Sequence, residues 1–122
     1  MEICLEDVLS ALYRLRAPFC PGEYDLHALV VQTLLAAGIS CRHEVRLAPR
    51  CRIDLMAGRV GIEIKRGKPD VRRLLGQLQR YAASDEVTAL ILLVERKADL
   101  PAEIGGKPCV SLSVNKLWGI AL

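Results

Sequence analysis

Three charged residues interrupt the apolar stretch from residue 52 to residue 67, and no other feature constrains the fold and chemistry of the chain as strongly. Asp54, Glu63 and Lys65 stand among β-forming aliphatic residues. Such aliphatic runs normally build the core of a sheet, where a charge is costly unless it is paired or bound to a metal. The stretch therefore predicts a sheet that carries a charged site within its core.

The same stretch has the pattern of a β-hairpin. Residues 53–56 and 60–65 are the two predicted strands, and Gly58-Arg59 is the turn between them. If the turn is a two-residue loop, Ala57 faces Val60. A turn longer by one residue would shift the register and move the side chains of one strand to the opposite face.

In the two-residue register, Asp54 lies directly opposite Glu63, with Cβ atoms roughly 4.5–5.5 Å apart. Two carboxylates at that separation repel each other, and a divalent cation between them removes the repulsion. Side chains alternate along a strand, so Glu63 and Lys65 share one face while the apolar residues of the second strand share the other. Two acids and one ammonium group are therefore expected to converge on one spot.

The chain has 122 residues, enough for a single domain with a buried core. We divide it into an N-terminal helical extension (1–20), a core (22–94) and a C-terminal loop and strand (95–122). No window holds about 18 consecutive apolar residues, and the N-terminus lacks the basic start of a signal peptide. The five cysteines are scattered and form no C-x-x-C pair, which favours free thiols and a cytoplasmic location.

Positive charge is concentrated in the middle of the chain. Residues 42–80 contain eleven Lys or Arg against four acids, which gives this segment a charge of +7 and leaves −4 for the rest. A basic surface around a small acidic centre suits a polyanion whose phosphate must reach a metal. The alternative is a merely soluble surface, since arginines on strand edges also discourage aggregation.

Hydrophobic periodicity predicts an α/β fold, in which a mixed central sheet is flanked by helices. The predicted elements are, in chain order, helix 3–16, helix 23–37, strand 40–47, the hairpin, a helix from Pro69, strand 87–94, a loop or short helix 98–107 and strand 109–114. Pro69 is expected in the first turn of its helix, where proline is tolerated. Trp118 is expected to pack onto the sheet.

The charged hairpin has the residue types of a metal-dependent site that acts on phosphate. Hard cations such as Mg²⁺ take oxygen ligands, commonly one or two carboxylates together with water and substrate phosphate. Lys65 is close enough to Glu63 to orient an attacking water or to stabilise developing charge. The alternative is a solvated strand face with an ordinary Glu–Lys pair.

Asp54 and the Glu-Ile-Lys triplet at 63–65, with one helix before them and one after, resemble the PD-(D/E)XK nuclease superfamily. The resemblance covers residues 22–94 and is nearest to small resolvase-like and phage or bacterial nuclease domains. It implies a restriction-endonuclease-like core of order α-β-β-β-α-β, here with an extra N-terminal helix. Ile53 stands where the motif's name has proline, a residue that is often missing in the superfamily.

The resemblance also implies a role for each residue of the motif. Asp54 and Glu63 bind the metal, and the main-chain carbonyl of Ile64 completes the ligand set. Lys65 assists the attacking water.

Two further acids are candidates for the site. Glu23, expected in the first turn of the second helix, corresponds to a glutamate that many superfamily members place near the metal, where it binds a second ion or the water. Acids are also common at helix starts because of the helix dipole. Glu44 is the alternative extra acid, although it can also pair with the arginines beside it.

Gln77 and Tyr81 are four residues apart on the third predicted helix and therefore lie on one stripe. The pair resembles the Q-x-x-x-Y motif of exonuclease-type members, where it supports the site or contacts the nucleic-acid backbone. The alternative is an ordinary core-edge tyrosine beside a solvated glutamine. Four basic residues close after Lys65 are predicted phosphate contacts: Arg66, Lys68, Arg72 and Arg73.

These features predict a Mg²⁺-dependent nuclease, with Mn²⁺ able to substitute, that hydrolyses phosphodiester bonds in DNA. An endonuclease of repair, recombination or restriction is expected, and the small size suggests a homodimer because cutting both strands takes two sites. No membrane and no small-molecule cofactor are expected. The alternative is a catalytically inactive nucleic-acid-binding or scaffolding module with the same fold, which binds DNA without metal-dependent turnover.

Overall fold

Helices cover both faces of a mixed β-sheet in this protein. The computed structural model describes residues 3–16, 25–96 and 98–114. Within these ranges there are three helices and six strands: α1 (Leu5–Leu12), α2 (Leu26–Ala36), β1 (Arg42–Ala48), β2 (Cys51–Ala57), β3 (Val60–Lys65), α3 (Val71–Ala82), β4 (Ala89–Val94), β5 (Glu103–Ile104) and β6 (Lys107–Ser113). The predicted α/β class with a mixed sheet is confirmed.

The strands lie side by side in the order β1-β2-β3-β4-β6-β5. β1, β2 and β3 form an antiparallel meander, whereas β4 runs parallel to both β3 and β6. The parallel β3–β4 pair requires a crossover connection, and α3 provides it. All six residues of β4 are buried, as the continuous apolar run from residue 87 to residue 94 predicted.

Two apolar clusters fill the two faces of the sheet. On one face, α1 and α2 pack against alternate residues of β3 and β4, among them Ile62 and Ile91. On the other face, α3 packs against the residues in between, such as Leu90 and Leu92. The charged residues of β3 alternate with the first set, so they lie on the α3 face.

Two helices begin later than the sequence predicted, because an aspartate caps each one. Asp25 accepts a hydrogen bond from a backbone N–H of the first turn, and α2 begins at Leu26 rather than near residue 23. Asp70 caps α3 in the same way, so the prediction that Pro69 lies in its first turn was wrong. An aspartate side chain satisfies N–H groups that have no partner within the helix.

The segment 98–107, predicted as a loop or short helix, contains a two-residue strand instead. β5 pairs antiparallel with the start of β6 across Gly105 and Gly106, whose φ angles are +59° and +78°. Positive φ at both turn positions suits glycine and favours a tight hairpin. α1 also differs from its prediction, because it ends at Leu12 rather than near residue 16. Trp118 lies outside the described residues.

The β2–β3 hairpin has the predicted register. Ala57 pairs with Val60, so the turn is a two-residue loop, and Gly58 takes the positive φ of +60° that such a turn favours. The ladder ends with the pair Leu55 and Ile62, one position before Asp54 and Glu63. The hairpin therefore brings the two acids to one level of the sheet, two positions from the end of β3.

None of the described helices is long and apolar enough to cross a membrane. The four described cysteines are free thiols: Cys4, Cys41, Cys51 and Cys109.

Candidate active site

Glu63 is the one charged residue that is buried among those the structure describes. It lies within β3, and only 2% of its surface is exposed. Its Oε2 atom lies 3.2 Å from Nζ of Lys65, whose side chain is 34% exposed. A buried carboxylate is thus joined to an ammonium group two positions along the same strand, as the alternation of side chains predicted.

Two reciprocal hydrogen bonds link Asp54 and Glu63 across the hairpin. The backbone N–H of Asp54 donates to Oε1 of Glu63 over 3.2 Å, and the backbone N–H of Ile64 donates to Oδ2 of Asp54 over 2.8 Å. Each carboxylate therefore accepts from the backbone of the opposite strand. This arrangement holds the two acids side by side.

The alternation of β2 breaks at Asp54. Cys51 and Ile53 pack into the cluster on the α3 face, whereas Leu55 packs on the opposite face, although a regular strand would keep all three on one side. The neighbouring strand is irregular at the same level, because Glu44 of β1 has a left-handed φ of +47°. The backbone ladder between β2 and β3 stops here, and the two carboxylates accept the hydrogen bonds instead.

The phenol of Tyr81 reaches the acidic pair from α3. Its hydroxyl lies 3.2 Å from Oε2 of Glu63 and 2.9 Å from the carbonyl oxygen of Arg52, and its single proton is shared between these acceptors. Tyr81 is 1% exposed. Burial, together with the negative charge of Glu63, raises the pKa of the phenol and keeps it a hydrogen-bond donor.

Burial raises the pKa of Glu63 to about 7, and the neighbouring carboxylate of Asp54 contributes in the same direction. Lys65 and the backbone N–H of Asp54 lower this pKa without cancelling the rise. The ion pair with Lys65 therefore leaves the charge of the two carboxylates only partly compensated. A divalent cation beside them would lower the pKa of Glu63 and stabilise the doubly ionised pair.

The donor set fits a hard divalent cation such as Mg²⁺. Oδ1 of Asp54 has no hydrogen-bond partner within the described residues, and the side chain is partly exposed. Mg²⁺ commonly takes one or two carboxylates and completes its shell with water and substrate phosphate. Asp54 and Glu63 would be those carboxylates. In the described ranges, no group of three His, Cys, Asp or Glu side chains could hold a metal ion.

The other predicted ligands are Glu23, Ile64 and the alternative acid Glu44, and no side chain of theirs joins the acidic pair in a group of three metal-binding side chains within the described residues. Glu23 lies outside the described residues. Ile64 follows Glu63 on β3, and its backbone N–H is already bonded to Asp54. Glu44 is exposed, and the structure does not bring it into a three-acid cluster.

Two clefts that share Gln77 and Arg80 meet beside the acidic pair. The turn cleft, of about 360 Å³, extends from the β1–β2 turn to α3 and is lined by Arg46, Arg50, Cys51, Arg52, Gln77, Arg80 and Tyr81. The helix cleft, of about 390 Å³, is lined by Lys65, Pro69, Asp70, Arg73, Leu74, Gln77 and Arg80. Glu63 contacts one lining residue of each cleft, Tyr81 and Lys65.

The predicted phosphate contacts divide into two groups. Arg73 and Gln77 line the clefts. Arg66 lines neither cleft and forms a 3.4 Å ion pair with the glutamate that follows β4. Lys68 and Arg72 are exposed and also line neither cleft.

The arginines that line the turn cleft are absent from the predicted site residues: Arg46, Arg50, Arg52 and Arg80. A signal existed for Arg80, which lies three residues after Gln77 and seven after Arg73, on one stripe of α3. The other three had no such signal, because their position depends on how α3 crosses the sheet.

Comparisons with models of protein families, with curated proteins and with solved structures found no match to this chain. The fold and the site therefore define its class by themselves. It is an α/β protein with an acidic pair, one member of which is buried, at the junction of two basic clefts.

Proposed function

We propose that the chain is a Mg²⁺-dependent nuclease that hydrolyses phosphodiester bonds in DNA. The observation that carries the proposal is the pair of reciprocal hydrogen bonds between Asp54 and the Glu63-Ile64 segment. These bonds hold two carboxylates together beside Lys65, where the two basic clefts meet. A structural ion pair would need only one glutamate and one lysine.

The order of the elements supports the finer assignment of the fold. From α2 to β4 the chain follows the α-β-β-β-α-β order that the resemblance to the PD-(D/E)XK superfamily implies. α1 would then be the N-terminal addition. Asp54 lies on β2 and the triplet 63–65 lies on β3, both within that core.

Each residue of the site has a role in the proposed reaction. Mg²⁺ held by Asp54 and Glu63 would polarise the phosphoryl group and lower the pKa of an attacking water. Lys65 is placed to orient that water or to stabilise charge that develops on the phosphate. Tyr81 fixes the position of Glu63 through its hydroxyl. Arg73, which lines the helix cleft, would hold the DNA backbone without reading its sequence.

A cleavage assay tests the proposal, with supercoiled, linear, single-stranded and branched DNA in Mg²⁺, in Mn²⁺ and in EDTA. Wild type is expected to cleave at least one substrate in metal and none in EDTA. Lys65→Ala is expected to lose at least about a hundredfold in rate. Arg42→Ala, a change of an exposed basic residue outside both clefts, serves as the matched control and retains activity. Equal cleavage by wild type and Lys65→Ala would refute the catalytic assignment.

A non-cleaving DNA-binding module is the competing outcome of the same assay. Such a protein binds DNA with a steep salt dependence but shows no turnover in any metal. Calorimetric titration with Mn²⁺ separates the two functions. The nuclease is expected to bind Mn²⁺ and to lose this binding in Asp54→Asn, whereas a scaffold has no need of a carboxylate metal site.

A further inference from the structure

We propose that the turn cleft is a phosphate subsite, which holds the DNA strand beside the acidic pair and next to the helix cleft. The inference rests on the proposed nuclease function for the identity of the strand. It adds a contact surface on β1, on β2 and on the turn between them. It also implies that phosphates next to the scissile one are bound by this cleft.

The charge of the turn cleft is the first observation. Four of its lining residues are arginines, and none of its lining residues is acidic: Arg46, Arg50, Cys51, Arg52, Gln77, Arg80 and Tyr81. Within the described ranges, none of these arginines forms an ion pair with a carboxylate. Like charges held around one cleft repel each other, and an anion with spaced negative charges relieves this repulsion. A nucleic-acid backbone is such an anion.

The conformation of Arg50 is an independent observation. Ala48 pairs with Cys51, so Pro49 and Arg50 form a two-residue turn, and Arg50 has a left-handed φ of +58°. That region is sparsely populated by residues other than glycine, asparagine and aspartate. Strained backbone of this kind is concentrated at functional sites. The turn has an arginine where a glycine would fit with less strain, and this residue lines the cleft.

The junction of the clefts places the subsite relative to the chemistry. Both clefts share Gln77 and Arg80, and Oε2 of Glu63 contacts Tyr81 of the turn cleft and Lys65 of the helix cleft, each over 3.2 Å. The stripe of helix residues that borders the two clefts runs from the N-cap of α3 at residue 70 to residue 80, a rise of roughly 15 Å along the helix axis. At ~3.4 Å per nucleotide, this length spans about four nucleotides of one strand.

Binding of a fluorescently labelled single-stranded oligonucleotide, measured by anisotropy over a salt series in EDTA, tests the subsite without turnover. Arg50→Gly is the decisive variant, because glycine accepts the φ of +58° and the melting temperature should not fall. The loss of one phosphate contact should lower the slope of log K against log salt by about 0.7 and weaken binding about fivefold at ~0.1 M salt. Arg46→Ala and Arg80→Ala should weaken binding to a similar extent.

Arg42→Ala is the matched control, because Arg42 is exposed on the same strand as Arg46 and lines neither cleft. Its binding should remain at the wild-type level. Wild-type binding by Arg50→Gly overturns the subsite, and so do equal losses in Arg42→Ala and Arg50→Gly, because net charge alone would then explain the effect. The nuclease proposal fails by a different result: absence of cleavage by wild type in Mg²⁺ and in Mn²⁺ leaves the turn cleft as a DNA-binding site.

Discussion

The two ends of the β2–β3 hairpin differ in the groups that accept their backbone N–H hydrogen bonds. At the closed end, next to the turn, Ala57 pairs with Val60 in a regular ladder, and both residues are buried and apolar. At the open end, the carboxylates of Asp54 and Glu63 take hydrogen bonds that backbone carbonyls accept in a regular ladder. The same two strands therefore provide a stable anchor at one end and an acidic pair at the other.

The comparison shows how a small domain can hold a charge inside its sheet. The closed end and the cluster around α1 and α2 contribute apolar burial without any charged group. At the open end, Glu63 is buried and its pKa is raised. The ionised carboxylate is therefore less stable in the folded protein than in the unfolded chain, and ionisation lowers the free energy of unfolding. The hairpin is stabilised by apolar burial next to its turn, and its charged pair lies where the backbone ladder ends.

The largest expected effect comes from removing charge at the open end. Asp54→Asn keeps an oxygen that can accept from the N–H of Ile64, so the fold should be retained, but it removes one of the two carboxylates. Metal-dependent cleavage should fall by at least about a thousandfold, because the cation would lose a charged ligand. A plasmid cleavage assay measures the loss of rate, and calorimetric titration with Mn²⁺ measures the loss of metal affinity.

Glu44→Gln is the matched control for Asp54→Asn. It removes an exposed acid at the same level of the neighbouring strand, and the structure leaves this acid outside any three-acid cluster. Wild-type cleavage is expected. Wild-type activity in Asp54→Asn, or equal losses in the two variants, would show that Asp54 has no specific role in metal-dependent cleavage.

A pH dependence of stability is the next effect in size. The pKa of Glu63 is raised from 4.5 to about 7, so the folded protein holds a proton that the unfolded chain has lost in this window. Metal-free stability should therefore fall by on the order of 3 kcal/mol as pH rises from about 4.5 to about 7, and then level off. Glu63→Gln should remove this component, which urea denaturation in EDTA at several pH values can measure.

Metal binding should depend on pH in the opposite direction. A cation requires ionised Glu63, so the affinity of wild type for Mn²⁺ should rise through the same window. If the stability of wild type and that of Glu63→Gln change in parallel between pH 5 and pH 8, the pKa of Glu63 is not raised in the folded protein.

Tyr81→Phe should have a smaller effect, because it leaves both carboxylates in place. The variant keeps the buried ring but removes the hydroxyl that lies 3.2 Å from Oε2 of Glu63. Cleavage near neutral pH should fall about tenfold, since a hydrogen bond to a charged group contributes about 1.5–3 kcal/mol and Lys65 remains as a second partner. The midpoint of the pH–rate profile should move upward. Tyr13→Phe, at an exposed tyrosine, should change neither quantity.

The sequence was sufficient to predict the closed end of the hairpin. Gly58 favours a two-residue turn, and once the turn is fixed the period of two sets the register up to Asp54 and Glu63. The break in β2 could not be predicted, because the alternation rule describes a regular strand. The left-handed φ of Glu44 beside the break has no signal in the sequence.

Long-range packing explains the other differences. The turn cleft exists because α3 lies over the β1–β2 turn, and no local pattern brings Arg50 to Arg80. The β5–β6 hairpin is a different case, since Gly105-Gly106 between two short extended segments is a recognisable turn signal. A segment of two residues is too short to show the alternation that predicts a strand, so β5 was not identified.

The smallest expected effect tests the closed end, where packing and not charge sets the energy. A Cβ atom on Gly61 would lie 2.5 Å from Cδ1 of Ile53 and 3.0 Å from Cδ2 of Leu90. Gly61→Ala should therefore destabilise the protein by about 1 kcal/mol, the lower end for overpacking, because the ends of two side chains can shift. Urea denaturation measures this change.

Gly76→Ala provides the control for Gly61→Ala with the same chemical change. A Cβ atom at Gly76 would meet only the guanidinium of Arg80, at 3.9 Å, and the position is within α3. This variant should stabilise the protein by roughly 0.5–1 kcal/mol, because alanine loses less conformational freedom than glycine in a helix. Opposite signs for the two alanines would show that the closed end is limited by packing. A neutral Gly61→Ala would show that Ile53 has room to move, and the strand next to Asp54 would then be less rigid than its burial indicates.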